Sequence, residues 1–352
     1  MGLTTNQRSL ITKARTGGGS DLGVTLDDTV CCYLLATIVK DLGLKDQFPD
    51  IPLEIPPFFE IKEIKNLRLP GIDFYKFFER LVSARSDADT YFFCLATLHK
   101  ARLKYERILQ SQAIPTIDQV GPRGLLQYGA LSPAALVGFL FWRKWMFDID
   151  NRAGQETGYV FEPIIAYAIG GVPYSAAKSP VKRGGQGSKG RQVDCVVDDK
   201  AYELKIRVTI AASGQGRWGE ELEFPKDCLA SGFTPVLVVL DPTPNIKLEE
   251  LRRAFVTAGG ETYIGEQAWK HLSDAAGPTM ATFLELYVHL PLQTLVSETP
   301  EKLPELRLRI DENKIIMEIG SEYLAIQRNL SETIIAEQEE LPEDIDESGP
   351  VP

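Results

Sequence analysis

The stretch Gln192-Val-Asp-Cys-Val-Val-Asp-Asp-Lys-Ala-Tyr-Glu-Leu-Lys-Ile-Arg-Val208 decides the fold class of this chain. It contains two strand-like runs, Gln192 to Val197 and Ala201 to Ile210, joined by a tight Asp198-Asp199-Lys200 turn. Alternate side chains of a strand share a face. Tyr202, Leu204, Ile206 and Val208 therefore form one apolar set suited to a core, while Glu203, Lys205 and Arg207 form the other. That second set puts a carboxylate beside an ammonium on a strand expected to be largely buried. Asp194 lies on the neighbouring strand, where a hairpin brings its carboxylate close to that of Glu203.

Working outward, Tyr159 to Ile169 reads as a helix stopped by Gly170-Gly171, and Glu162 lies on it. Lys178 to Arg191 is a loop dense in glycine, lysine and arginine. Gly219 to Ser231 is expected to be helical only in part, because Pro225 interrupts it. Thr234 to Leu240 is almost entirely apolar, the pattern of a strand covered on both faces. Helix, hairpin, helix and buried strand together predict an α/β core with a mixed central sheet flanked by helices.

Two carboxylates and a lysine in this arrangement make a hard, oxygen-rich site suited to Mg²⁺. Asp194 and Glu203 are the candidate metal ligands, and the backbone carbonyl of Leu204 is a third. A metal there polarises a phosphodiester and activates water. Lys205 would orient that water and offset developing negative charge.

These residues resemble the PD-(D/E)XK nuclease superfamily, whose pattern is an acid, a variable gap and then Glu/Asp-x-Lys on the next strand. Here the pattern is Asp194, eight intervening residues, and Glu203-Leu204-Lys205. The family often adds a glutamate from the preceding helix, and Glu162 is the matching residue, catalytic and a further candidate ligand. Val193 stands where the family's proline would be. The resemblance covers roughly residues 154–241. It implies a restriction-endonuclease-like core using one or two Mg²⁺ ions per site, and most resembles a type II restriction endonuclease. Such an enzyme would act on double-stranded DNA at a short specific sequence, leave 5′-phosphate and 3′-hydroxyl ends, and work as a homodimer. It would also imply a cognate DNA methyltransferase in the same bacterial system. A structure-directed repair or recombination nuclease, or an inactive DNA-binding module, would share the same core. No GxxxxGK[ST] phosphate loop is present, which argues against a fused motor.

Charge bears on the DNA reading in two ways. The formal net charge of −11 opposes polyanion binding, yet eight acidic residues lie after Arg328, and no basic residue does. Residues 171–210 carry eight Lys/Arg against four acids, and local charge decides where a polyanion sits. Lys178, Lys182, Arg183, Lys189, Arg191 and Arg207 are candidate phosphate contacts. In Ser213-Gly-Gln-Gly-Arg-Trp-Gly219, Gln215 suits adenine and Arg217 suits guanine, although an ordinary flexible loop would read the same way.

Elsewhere, the chain before about Asp150 reads as helical and suited to DNA recognition or dimerisation. A first helix spans Leu26 to Leu44 behind Thr25, and a second helical stretch, Asp73 to Gln112, breaks near Ser86-Asp87. Leu131 to Trp142 reads as a buried helix too short to cross a bilayer, and Phe139 to Phe147 as core or a dimer contact. Residues 151–245 form the catalytic core, and 246–328 are expected to add helices near Lys247 to Ala258, Tyr263 to Ala276 and Met280 to His289. A terminal hairpin, Leu306 to Ile310 with Ile315 to Gln327, packs on the core. Residues 329–352 read as an acidic disordered tail. Five cysteines without ligand spacing, three scattered histidines and no signal-peptide pattern point to a cytoplasmic protein without disulfides or zinc. His99 is expected at the surface.

Overall fold

In the computed structural model the described residues are 3–16, 23–59, 61–184, 189–207, 215–298 and 302–329. The helices before the sheet are α1 (Thr5–Thr16), α2 (Asp28–Asp41), α3 (Phe74–Ala84), α4 (Ala88–Ser111), α5 (Ile117–Val120) and α6 (Pro133–Ala168). The chain then forms β1 (Val172–Tyr174), β2 (Val193–Val197), β3 (Lys200–Lys205), α7 (Gln215–Ala230), β4 (Thr234–Val239), α8 (Ile246–Thr257) and β5 (Glu261–Ile264). It closes with α9 (Glu266–Leu284), a π-helical turn (Glu285–His289), α10 (Leu290–Ser297), β6 (Leu306–Asp311), β7 (Lys314–Ile319) and β8 (Glu322–Gln327). None of the described helices is long and apolar enough to cross a membrane.

Contacts divide the chain into two units that do not follow its sequential order. The first comprises Met1–Lys100 and Tyr159–Leu295, and the second Ala101–Gly158 and Val296–Ile345, so far as these residues are described.

The first unit holds a five-stranded sheet in the order β1-β2-β3-β4-β5. β1 to β3 pair antiparallel, whereas β3, β4 and β5 pair parallel, so β3 lies where the sheet changes from one mode to the other. The hairpin turns tightly because Val197 pairs with Lys200, leaving Asp198 and Asp199 in the turn. Asp198 adopts φ 50°, a conformation aspartate tolerates better than most residues. Gly171 lets β1 approach β2, since a Cβ there would fall 2.1 Å from the Cys195 Sγ. β4 is buried from Pro235 to Val239, as its apolar run requires, and each such side chain contributes roughly 1.5–3 kcal/mol. One apolar layer joins Ala201, Leu237 and Val239 of the sheet to Phe224 and Cys228 of α7 and Leu248, Leu251 and Phe255 of α8.

Helices α1, α2, α3, the first half of α4 and α9 also belong to this unit. Every residue of α2 from Val30 to Val39 is buried. Asp41 Oδ2 accepts hydrogen bonds from the Tyr91 and Tyr287 hydroxyls at 2.9 and 2.6 Å, which satisfies a half-buried carboxylate.

In the second unit, Trp145 and Ile149 of α6 pack with Ile315 and Ile326 of an antiparallel meander, β6-β7-β8.

Several local expectations are corrected. The cap of α2 is Asp27, which accepts from the Val30 N–H, so the helix begins three residues after Thr25. α6 runs for 36 residues and starts well before Tyr159. Only Leu136 and Leu140 of the predicted buried run Leu131 to Trp142 are buried, while Leu131 and Phe139 are exposed. Pro225 does not break α7, which continues through it and loses one helical hydrogen bond. Residues 261–264, partly assigned to a helix, form the edge strand β5. Ile315 to Gln327 is two strands, split at Gly320-Ser321. His99 is 1% exposed, not at the surface. All five cysteines are buried free thiols. The predicted strand end at 208–210 and the acidic tail from residue 330 lie outside the described residues.

Candidate active site

β2 and β3 converge where their regular pairing stops. The last ladder pair is Cys195 with Tyr202. Beyond it, Asp194 Oδ2 accepts the Leu204 backbone N–H at 2.8 Å. A carboxylate thus stands in for a backbone acceptor and fixes Asp194 against the strand carrying Glu203 and Lys205. Lys205 is the last residue of β3, paired with Val239 of β4. The candidate groups therefore sit at the C-terminal end of a central strand, where α/β sheets commonly place their sites.

Lys205 Nζ lies 2.9 Å from Glu203 Oε1. The helix α6 supplies Glu162. A cavity of only about 10 Å³, the scale of one water, is lined by Phe161, Glu162, Ile165, Leu204, Lys205, Ile206, Val238 and Leu240. Glu162, Asp194, Glu203 and Lys205 are all partly buried, so the site is enclosed without being sealed.

The electrostatics show that these groups act on one another. Burial raises the Glu162 carboxyl to about 7, reinforced by Glu203 and opposed by Lys205. Burial also raises Asp194, with Glu203 and then Glu162 adding to the effect and Lys205 and the Leu204 N–H opposing it. Burial disfavours the Lys205 ammonium, but Glu203, Glu221 and Asp194 outweigh it and hold Lys205 above the ordinary lysine range. Clustered carboxylates that resist joint ionisation are a donor set that a cation relieves.

This donor set fits Mg²⁺. Among the described residues no group of three His, Cys, Asp or Glu side chains forms a ready-made cage. Mg²⁺ is commonly held by one or two carboxylates and completed by waters and substrate phosphates, and Asp194 and Glu203 are two carboxylates on neighbouring strands.

Glu221 of α7 has no counterpart in the sequence analysis. Its Oε1 lies 3.5 Å from Lys205 Nζ. The signal available was a glutamate among the inward residues of an amphipathic helix, Trp218, Leu222, Phe224 and Cys228.

The basic residues of the preceding loop separate into two kinds. Arg191 is buried and paired with Asp227, and also donates to the Glu220 carbonyl. It is a structural pin of the loop against α7, in place of the phosphate contact expected. Arg183 pairs with Glu220 at 2.7 Å with both side chains about half exposed. Lys178 and Lys189 are exposed, and Lys182 donates to the Ser179 carbonyl. Arg207 is 69% exposed and lies 3.8 Å from Asp241. The side chains of Gln215 and Arg217 lie outside the described residues.

A family model described as ApaLI-like restriction endonuclease matches residues 60–289. The chain is 47% identical over 331 residues to a type II restriction enzyme ApaLI from Acetobacter pasteurianus, covering 86% of this chain and 88% of that protein. No solved structure matches it.

Proposed function

This chain belongs to the ApaLI-like restriction endonuclease family, and we propose that it hydrolyses both strands of double-stranded DNA at a short specific sequence in a Mg²⁺-dependent reaction. The products carry 5′-phosphate and 3′-hydroxyl ends. The observation carrying this reading is the convergence of Glu162, Asp194, Glu203 and Lys205 at one end of β3, where burial and neighbouring carboxylates raise the proton affinity of Glu162 and Asp194.

Asp194, Glu203 and the Leu204 carbonyl would hold the metal, with Glu162 as a further ligand. When bound, Mg²⁺ would polarise the phosphodiester and make a coordinated water more acidic. The protein's own groups do the rest. The Leu204 N–H holds Asp194 in place, so its carboxylate need not be ordered during the reaction. Lys205 sets a fixed positive charge beside the reacting phosphoryl group, where a preorganised cation stabilises developing negative charge. Glu162 faces the same recess and can accept a proton from water there.

Lys178, Lys182, Arg183, Lys189 and Arg207 are proposed phosphate contacts, and Gln215 and Arg217 proposed base contacts. The helical segments of the N-terminal region, residues 1–150, would serve DNA recognition or dimerisation. The described residues carry one such site, so cutting both strands calls for a homodimer on a two-fold symmetric sequence. A cognate methyltransferase would protect the same sequence in the host. Ligation tests the ends. Fragments that rejoin without prior phosphorylation carry the proposed 5′-phosphates, whereas fragments needing a kinase first would contradict them.

A further inference from the structure

Lys205 is held by carboxylates from two different elements. Glu203 Oε1 of its own strand is 2.9 Å from Nζ, and Glu221 Oε1 of α7 is 3.5 Å away. The side chains of Glu203 and Lys205 are 15% and 19% exposed, and that of Glu221 is 32% exposed. Under the reading above, Glu203 has two duties, pairing with Lys205 and binding a metal ion. A carboxylate that turns toward a divalent cation weakens its hold on a neighbouring ammonium.

Glu221 is placed to take over. Its neighbours on α7 point to other partners, Glu220 to Arg183 and Glu223 to Lys226. Glu221 instead shares a helix face with Trp218, Phe224 and Cys228, which pack into the core. A carboxylate on that face gains from a cationic partner, and Lys205 lies within ion-pair distance of it. α7 is itself anchored by the buried Arg191–Asp227 pair and by the Trp218 Nε1 bond to Glu250. Glu221 therefore approaches Lys205 from a fixed support.

We infer that Glu221 is a positioning residue for Lys205, keeping its ammonium aimed into the active site when Glu203 is engaged with the metal. This rests on the assignment of Glu203 and Lys205 made above.

The test compares the full chain with Glu221→Gln, Glu221→Asp, the control Glu223→Gln on the exposed face of α7, and Asp194→Ala. The single-turnover cleavage rate of Glu221→Gln should fall about tenfold or more, a part of what a direct electrostatic contact gives. Its DNA affinity in EDTA and its Tm should stay near wild type, Glu221→Asp should recover most of the rate, and Glu223→Gln should match wild type. Without metal or DNA, Lys205 should be acylated faster by an amine-reactive ester in Glu221→Gln than in wild type, read by mass spectrometry. Wild-type cleavage and Lys205 reactivity in Glu221→Gln would overturn the inference. So would a rate loss matched by an equal loss of DNA binding or Tm, which marks a structural role. If Asp194→Ala also cut like wild type, the assignment of the site itself would have failed, a separate result.

Discussion

The carboxylate of Asp194 accepts the backbone N–H of Leu204 at 2.8 Å, across the end of the β2–β3 hairpin. One side chain thus joins the two strands that carry the candidate site and holds an acid beside Glu203 and Lys205. The bond is made by the group whose ionisation burial and its neighbours oppose. Its N–H partner favours the charged form, and so the site stores a carboxylate that a cation would stabilise further.

Asp194→Ala and Lys205→Ala should each lower cleavage at least about a hundredfold, the scale of losing one preorganised electrostatic group. Both should fold with a lowered Tm, because Asp194→Ala removes the bond to the Leu204 N–H and Lys205→Ala removes a cation beside Glu203 and Glu221, and both should retain DNA binding in EDTA. Rate and affinity measured on the same preparations check this. Full activity in both variants would move the site elsewhere.

Stability without metal should depend on pH through Glu162. Its folded carboxyl titrates near 7, above the ordinary 4.5. The folded state thus holds a proton that the unfolded chain has released, and stability is greatest below about pH 4.5 and lost as pH rises through 7. Asp194, also raised, acts in the same direction. Glu162→Gln should flatten this part of the Tm–pH profile in EDTA, and an unchanged profile would show that Glu162 ionises freely.

The loop arginines should separate by assay. Arg191→Ala leaves Asp227 buried without its cation, keeping only the Gly184 N–H, so it should cost about 3–5 kcal/mol of stability. Arg183 is exposed with its partner Glu220, so Arg183→Ala should leave stability within about 0.5 kcal/mol of wild type. It should instead weaken DNA binding and lower the salt dependence by about 0.9 in slope. Chemical denaturation and a salt series of binding curves measure both.

Gly171→Ala should destabilise the sheet by about 1–3 kcal/mol, because the added methyl meets Cys195 Sγ and the Val196 carbonyl, 3.1 Å away. Cys195 follows Asp194, so cleavage should fall as well. Urea denaturation alongside a cleavage assay tests both effects.

These residues also show what could be read from sequence. The hairpin and the Glu203-Leu204-Lys205 alternation follow from period-two patterning, and the buried β4 from a continuous apolar run, both local properties. β5 did not, because Glu261 to Ile264 is four half-buried residues at a sheet edge whose strand character comes from pairing with β4. Pro225 suggested a broken helix, but packing of Phe224 and Cys228 offsets the lost hydrogen bond. Arg191 and Glu221 were hidden for a related reason. Their roles depend on Asp227 and Lys205, partners 36 and 16 residues away, and glycine-rich context made Arg191 resemble its exposed neighbours.

The most direct test of the central claim is incubation of the purified chain with long phage DNA, with Mg²⁺ and with EDTA. The account predicts discrete fragments with Mg²⁺ alone, with ends that share one short sequence. Fragments in EDTA, or a smear without a common end sequence, would contradict it.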